Sequence, residues 1–218
     1  MTAGFRAREA CRIEKGRGVR AGNDSARRIR LLLNAVNTRI DNRVEIAGQC
    51  EISPDADLED LLAAGWQRWG TELATHLRGA FAFVLCDTAE GTLYAARDQF
   101  GLAPIFVSVD DSHWYFGQTS QAVRALLGSS LPDDRLMLSD FIAGDYIERE
   151  RTFFIGVERF PAAHWILYRG NTQTRQRYWS LSDVARQPQP REPVERFRAL
   201  LDESVAASIR PGETALML

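Results

Sequence analysis

The segment LYAARDQFGLAPIFVS, residues 93–108, places two opposite charges between runs that look like core strands. Arg97 and Asp98 follow an apolar run. Both side chains can bind a charged group, and Arg97 can donate and Asp98 can accept several hydrogen bonds. Gly101 permits a backbone with positive φ, and Pro104 stiffens the exit from the turn. These residues predict a tight turn that the Arg97 and Asp98 side chains hold together.

Cysteine and histidine offer little further chemistry. The three cysteines are an odd number without a CxxC pair, which disfavours both a disulfide framework and a zinc site. The three histidines stand singly along the chain. We therefore predict no metal site. The residues concerned are Cys11, Cys50, Cys86, His76, His113 and His164.

Composition limits the classes of partner. The chain has 218 residues, 45% of them hydrophobic, a formal net charge of -2 and a pI near 6.0. This balance gives no electrostatic basis for binding nucleic acid or an anionic membrane surface. No apolar run is long enough to span a membrane, and the Arg-rich start has no apolar core typical of a secretion signal. We expect a cytoplasmic protein whose partners are proteins or small molecules.

The predicted strands and helices begin after residue 28, because the residues before it show no regular spacing of apolar side chains. Residues 1–28 hold few large apolar side chains, so we expect a mobile or truncated segment with little core. IRLLLNAV then reads as a buried strand, and NTRIDNRVEI follows with turn-favouring Asn and Asp residues. LEDLLAAGWQRW has the apolar spacing of an amphipathic helix, with Asp57 as its N-cap and Gly70 at its end.

A β-meander follows this helix. GAFAFVLCDT, GTLYAARD, APIFVSVDD and HWYFGQ are strand-like runs joined by short turn signals. They are apolar almost without alternation, so both faces of their sheet should be covered. SQAVRALLG and MLSDFIAG predict short helices, and FPAAHWILYRG with TQTRQRYW predicts a further strand pair.

The last part of the chain changes period. Residues 183–193 read as a linker. Residues 194–218 follow, with the helical pattern PVERFRALLDESVAASI and then ETALML, which predicts a buried strand. A single strand at the end of the chain cannot bury both of its faces, so we expect it to need a partner.

The run LRGAFAFVLCDTAEGTLYAARDQFGLAPIFVS resembles the core signature of the glutamine amidotransferase domain of asparagine synthetases. Those domains are class II, N-terminal-nucleophile (Ntn) hydrolases, and the resemblance covers about residues 31–180. It implies an α+β fold, a four-layer α/β/β/α Ntn-hydrolase-type sandwich over residues 29–182. Residues 194–218 resemble the truncated start of an α/β synthetase domain. ATP and Mg²⁺ are implied only for that missing domain, and no cofactor is implied for this chain.

The resemblance also implies a nucleophile that this sequence lacks at its start. Family members attack glutamine with an N-terminal Cys whose own α-amine serves as the base. Here the chain begins Met-Thr-Ala-Gly, so removal of Met1 would expose Thr2. Cys11 lies inside the chain without a free amine. We therefore expect no catalytic residue, with Thr2 as the one weak candidate.

Remnants of a glutamine pocket are implied at further positions. The family has Asn-Gly-Glu where Asn37, Thr38 and Arg39 stand, and Asn37 matches the residue that helps to form the oxyanion hole. Arg39 inverts the charge that helps to hold the substrate's amino group. The register puts the family's second acidic residue at Leu58 or, with a one-residue shift, at Asp57, and we favour a helix N-cap as the role of Asp57. The same resemblance puts the turn of Arg97, Asp98 and Gly101 close to the pocket.

These departures indicate a domain that is silent as a glutaminase and supports an amide-forming synthetase domain. Lasso-peptide cyclases and β-lactam synthetases, which lack the N-terminal Cys, are the members it resembles most. One alternative is a fragment of an asparagine synthase (glutamine-hydrolysing). Another is a non-catalytic interaction module, such as a homodimer, and a third is a truncated product without a function.

Overall fold

The computed structural model describes residues 10–14, 29–35, 38–128, 131–144, 149–170, 172–186, 188 and 190–209. The chain divides into two units, Met1–Trp179 and Ser180–Leu218. The strands are β1 Ala10–Glu14, β2 Ile29–Asn34, β3 Arg39–Ile40, β4 Gly79–Ala80, β5 Ala82–Asp87, β6 Thr92–Arg97, β7 Phe106–Val109, β8 His113–Gly117, β9 Glu158–Arg159, β10 His164–Arg169 and β11 Thr172–Arg177. The helices are α1 Arg43–Gln49, α2 Leu58–Trp69, α3 Leu73–His76, α4 Ser120–Leu127, α5 Arg135–Ala143, α6 Leu181–Ala185 and α7 Pro193–Ser208.

Two antiparallel sheets form the centre of the first unit. One has the strand order β11-β10-β6-β5-β2 and the other β1-β8-β7-β9. Their facing sides share one buried apolar cluster, which includes Val84 and Ala95 from the first sheet and Val107 and Phe116 from the second. A short third ladder, β3-β4, joins the loop after β2 to the entry of β5.

Helices cover the outer faces of both sheets. Leu61 and Leu62 of α2 pack with Phe83 and Tyr94 on the outer face of the five-stranded sheet. Val123 of α4 packs with Tyr115 and Val157 on the outer face of the other sheet. The layers therefore follow the order α/β/β/α, and the predicted α+β sandwich is confirmed. Covering both faces explains why the meander strands are apolar without alternation.

The second unit contributes α6 and α7 to the described residues. The predicted helix after the linker is found as α7, with Pro193 in its first turn. α6 occupies the first part of the predicted linker. Among the helices of the described residues, none is long and apolar enough to cross a membrane. The predicted ETALML strand lies outside the described residues.

Two elements differ from the sequence-based expectations. Residues 10–14 form β1, whose Cys11 and Ile13 lie in the sandwich core, so the expectation of little core in residues 1–28 is wrong for this strand. The remainder of that segment lies outside the described residues. Residues 43–49 form α1 and bury Ile46 and Ala47, where the sequence predicted only turns and an apolar pair.

Candidate functional site

The turn after β6 is built around the Asp98 carboxylate. Asp98 is fully buried, and its two oxygens accept hydrogen bonds from the backbone N–H groups of Phe100, Leu102 and Ala103 at 3.0, 2.9 and 2.9 Å. Its own backbone N–H donates to the Phe81 carbonyl at 2.8 Å. A carboxylate with three N–H donors fixes the path of the turn.

Arg97 holds the same turn from the other side. Its guanidinium donates to the backbone carbonyls of Ala103 at 2.7 Å, Phe160 at 2.5 Å and Gly101 at 2.5 Å. Burial lowers the pKa of Arg97, whereas the charge of Asp98 opposes that shift. The guanidinium thus pairs mainly with backbone groups, which matches the predicted turn-holding role of both side chains.

Gly101 and Tyr178 complete this arrangement. Gly101 has φ +66°, and a Cβ there would lie 3.0 Å from the Arg97 guanidinium carbon, so a larger residue would displace that side chain. The Tyr178 hydroxyl donates to the Arg97 carbonyl at 2.8 Å. Burial raises the pKa of Tyr178, which keeps the hydroxyl protonated and able to donate.

Thr38 and Arg39 form hydrogen bonds to nearby residues of their own loop. The Thr38 hydroxyl donates to the Ala35 carbonyl at 2.9 Å. The Arg39 guanidinium donates to the Asp41 carboxylate at 2.5 and 3.2 Å, at a partly exposed position. Asp41 therefore balances the charge that Arg39 brings to the predicted pocket.

The β3-β4 ladder joins this loop to the turn of Asp98. Arg39 pairs with Ala80, and the next residue, Phe81, accepts the Asp98 N–H. Gly79 has φ +133°, and a Cβ there would lie 2.2 Å from the Arg39 carbonyl oxygen. Two of the predicted site segments are thus brought together by the entry to β5.

Asn42 braces the ladder next to Gly79. Its side-chain amide donates to the His76 carbonyl at 2.9 Å and accepts from the Arg78 N–H at 2.9 Å. Because Asn42 is buried, both halves of its amide need these partners. The brace ties the start of α1 to the residues that precede β4.

Asp57 has a local role. It is the N-cap of α2, and its carboxylate accepts the Asp60 N–H at 2.7 Å. The structure therefore shows Asp57 as the helix N-cap that the sequence pattern predicts. Asn37 and Thr2 lie outside the described residues. No group of three or more His, Cys, Asp or Glu side chains that could hold a metal occurs among the residues described.

The position of Cys11 in a buried strand was not predicted from the sequence. It lies in β1 opposite Phe116 of β8, and its side chain is in the core cluster that also contains Leu33 and Ala35. Ala35 precedes the predicted oxyanion residue Asn37 by two positions. The period-two pattern of ACRIE, with Cys11 and Ile13 on one face, was the available signal for a strand here.

Comparison with known proteins finds similarity to one family model, two curated relatives and one solved structure. A family model described as a glutamine amidotransferase domain matches residues 35–179. A Mycobacterium tuberculosis protein, named provisionally as a glutamine-hydrolysing asparagine synthetase, is 32% identical over 111 residues, or 50% of this chain and 17% of that protein. Asparagine synthetase (glutamine-hydrolysing) 3 of Bacillus subtilis is 26% identical over 151 residues, or 69% of this chain and 25% of that protein.

The matched part of the chain thus spans a quarter or less of the length of these two relatives. Among solved structures, the glutamine phosphoribosylpyrophosphate amidotransferase of Bacillus subtilis matches 69% of this chain and 28% of its own, at 13% identity with a TM-score of 0.43. With so low an identity and TM-score, this similarity is not used to support the layer order described above.

Proposed function

Because this chain belongs to the glutamine amidotransferase domain family and is related to asparagine synthetases, we propose that it is a silent amidotransferase-type domain. In this role it does not hydrolyse glutamine, and it supports an ATP-dependent synthetase domain that forms amide bonds. The proposal has two parts, the loss of glutaminase chemistry and the supporting role, and each has its own test.

The observation that carries the first part is the loop of Thr38 and Arg39. Family resemblance implies a glutamate where Arg39 stands, and a glutamate would attract the substrate's amino group. Arg39 has the opposite charge, and its guanidinium is paired with Asp41. An ammonium group brought here meets a cation and a carboxylate that already has a partner, so the attraction is lost.

The nucleophile supports the same conclusion. A thiol in this class of enzyme needs the free α-amine of its own residue as a base. Cys11 follows ten residues in this sequence, so its nitrogen is part of a peptide bond. An amide nitrogen has no basic lone pair with which to accept the thiol proton.

Glutamate release from L-glutamine tests the silent-domain proposal. We expect no release above the buffer rate from the purified chain or from a Thr2→Cys variant, because neither restores the pocket charge. A Thr2→Cys variant that also carries Thr38→Gly and Arg39→Glu serves as the matched comparison. Turnover by the unaltered chain would overturn the proposal, and turnover by Thr2→Cys alone would show that the loop still binds glutamine.

The supporting role rests on the length of the relatives. Both curated relatives extend far beyond the part that this chain matches. Affinity capture of the tagged chain from its native host, followed by mass spectrometry, tests this part. We expect to recover an ATP-dependent amide-forming domain, either as a separate protein or as part of the same polypeptide. Recovery of neither would contradict the supporting role.

Glutamine hydrolysis by Cys11 is a second candidate, and the position of β1 favours it. The Cys11 side chain shares a buried cluster with Ala35, which leads into the predicted oxyanion residue. Cleavage of the Ala10–Cys11 peptide bond would give Cys11 a free α-amine. The thiol could then attack the carboxamide carbon, release ammonia and leave a thioester that water hydrolyses to glutamate.

Two measurements decide this second candidate. The intact mass of the chain purified from its native host shows whether residues 1–10 are removed. A shortened chain that begins Met-Cys11, from which Met is removed, is then assayed beside its Cys11→Ser form. Glutamate released by the first and not by the second would support the candidate, and no release by either would exclude it.

A further inference from the structure

A cavity of about 530 Å³ opens beside the C-terminal end of α2 and the turn between β5 and β6. Among the residues that the structure describes, neither Thr38 nor Arg39 lines this cavity, so a ligand bound here would not touch that part of the predicted glutamine pocket. The cavity volume falls in the range of small-molecule sites. The lining residues are Trp66, Gln67, Gly70, Asp87, Glu90, Thr92 and Arg169.

The sheet register sets three polar side chains in a row at this cavity. Thr92 of β6 pairs with Asp87 of β5 on one side and with Arg169 of β10 on the other. Cross-strand partners point to the same face of a sheet. This row lies on the face that carries Tyr94, which packs against the helices.

Thr92 is the most unusual member of the row. Its side chain is 2% exposed, and among the described residues its hydroxyl has no hydrogen-bond partner. A buried hydroxyl without a partner costs free energy, so native proteins rarely retain one. A hydroxyl both donates and accepts, and so it can serve either charged end of a ligand.

The cavity presents both signs of charge. Arg169 is 65% exposed, and its guanidinium lies 3.5 Å from the Glu90 carboxylate. Asp87 lies nearby, with its carboxylate accepting from the Trp66 indole N–H at 3.4 Å. The carbonyl end of α2 adds partial negative charge. The Asp87 carboxylate also accepts from the backbone N–H groups of Ala89 and Glu90 at 3.0 and 3.2 Å. A ligand with one cationic and one anionic group could pair with both signs of charge at this cavity.

Trp66 and Gly70 shape the apolar part of the cavity. The Trp66 ring is partly buried and packs on Tyr94 at 4.8 Å between ring centroids, which fixes its orientation. Its remaining face can receive an apolar or aromatic side chain. A Cβ built on Gly70 would meet no atom within 4 Å, so this wall of the cavity is open.

From this arrangement we propose that the cavity binds a free α-amino acid. The ammonium group lies toward Asp87 and Glu90, the carboxylate pairs with Arg169, and the side chain lies on Trp66. The Thr92 hydroxyl bonds to one of the two charged groups. Arg169 must turn from Glu90 toward the ligand, which its exposure permits.

Isothermal titration of the full chain with L-phenylalanine and with L-leucine tests the proposal. At least one of them should bind, because each has both charges and an apolar side chain. Phenethylamine lacks the carboxylate and 3-phenylpropionate lacks the ammonium group. Each should bind about tenfold or more weakly than L-phenylalanine, since it leaves one charged contact unmade.

Variants locate the binding within the cavity. Arg169→Gln and Thr92→Val should each weaken binding by about tenfold, the loss expected for one hydrogen bond to a charged group. Arg175→Gln is the matched control, because Arg175 is exposed on the neighbouring strand and does not line the cavity. It should leave the affinity unchanged.

Three results would overturn the proposal. They are no binding of either amino acid, equal binding of phenethylamine and L-phenylalanine, and unchanged affinity in both Arg169→Gln and Thr92→Val. L-Glutamine is left out of the titrations, so binding at residues 37–39 cannot imitate a positive result. Failure here leaves the silent-domain proposal unaffected, and activity toward glutamine leaves this one unaffected.

Discussion

The Asp98 carboxylate accepts three backbone N–H groups while it is fully buried, and Arg97 donates to three carbonyls beside it. Each side chain satisfies backbone groups that the turn leaves without partners. The two opposite charges in sequence therefore have a structural role that does not depend on any ligand. Such a turn is sensitive to the loss of either charge.

We expect Asp98→Asn to lower the free energy of unfolding by about 2–4 kcal/mol, since an amide replaces one acceptor oxygen with a donor that faces backbone N–H groups. Urea denaturation measures the change. Asp111→Asn, at an exposed position of the turn between β7 and β8, is the matched control and should change the midpoint little. Equal midpoints for Asp98→Asn and the native chain would refute the turn-holding role.

His164 gives the chain a predicted pH dependence. Burial lowers the pKa of His164, Arg175 and Arg177 add to that shift, and the hydrogen bond to the Ala162 carbonyl opposes it. The unfolded chain therefore binds a proton at a higher pH than the folded chain does. Stability from this group is complete above the ordinary histidine pKa and falls as the pH drops below it.

Denaturation midpoints of the native chain and His164→Gln, measured from pH 8 to pH 5, test this sign. The native chain should lose more stability than the variant across the acidic half of the range. Only in the native chain does unfolding expose a histidine ring that then takes up a proton. Curves that stay parallel would show that His164 does not contribute.

Several residue roles could be predicted from sequence spacing alone. Asp57 precedes a helical apolar pattern, so its cap follows from local chemistry. The Arg97 and Asp98 roles follow from a turn between strands. Cys11 could not be placed in this way, because its burial depends on pairing with β8 far along the chain.

At the scale of elements, the β3-β4 ladder shows how closely two backbones approach. Gly79 allows that approach with φ +133°, and Asn42 braces the residues just before it. Only a residue without a Cβ fits here, because the Arg39 carbonyl oxygen occupies the space. Gly48 in α1 is the opposite case, since a Cβ there would meet no atom within 4 Å.

Gly79→Ala and Gly48→Ala should therefore change stability in opposite directions. We expect the first to destabilise the chain by about 2–4 kcal/mol through strain and collision. The second should stabilise it by up to about 1 kcal/mol, since Ala favours a helix more than Gly does. Urea denaturation of both variants compares them directly. A Gly79→Ala chain as stable as the native one would contradict the close approach.

The meander strands could be predicted because long apolar runs and short turns are local signals. α1 was missed because RVEIAGQ is short, contains a glycine and follows residues that favour turns. Its helical state depends on burying Ile46 and Ala47 beneath the five-stranded sheet, a tertiary contact that no local pattern contains. β1 differs from α1, because the alternation in ACRIE was a local signal for a strand, and only the burial of that strand depends on its pairing with β8.

At the scale of the whole molecule, the two sheets and their helices form the four layers of the first unit. Each sheet is covered on both faces by elements that precede residue 180. Cover on both faces of the meander sheet could be predicted, because strands without alternation require it, whereas the four-layer order was implied by the family resemblance. The predicted ETALML strand lies outside the described residues and stays a prediction.

Residues 1–179 should consequently unfold in one cooperative transition when expressed alone. Far-UV circular dichroism and tryptophan fluorescence, followed against urea, should give coincident curves, because a single core links both sheets. Curves that separate would show that the two sheets unfold independently and that the shared core is weaker than its burial implies.

The pairing of Ala10 with Gly117 and of Ile29 with Asp87 sets an order of events during synthesis. β1 leaves the ribosome well before β8 exists, so Cys11 and Ile13 have no place in a core until the meander has been made. Pairings so distant in sequence slow folding and prolong the exposure of apolar strands. A nascent chain of this protein should therefore depend on chaperones most strongly while its first strands wait for the rest of the sandwich.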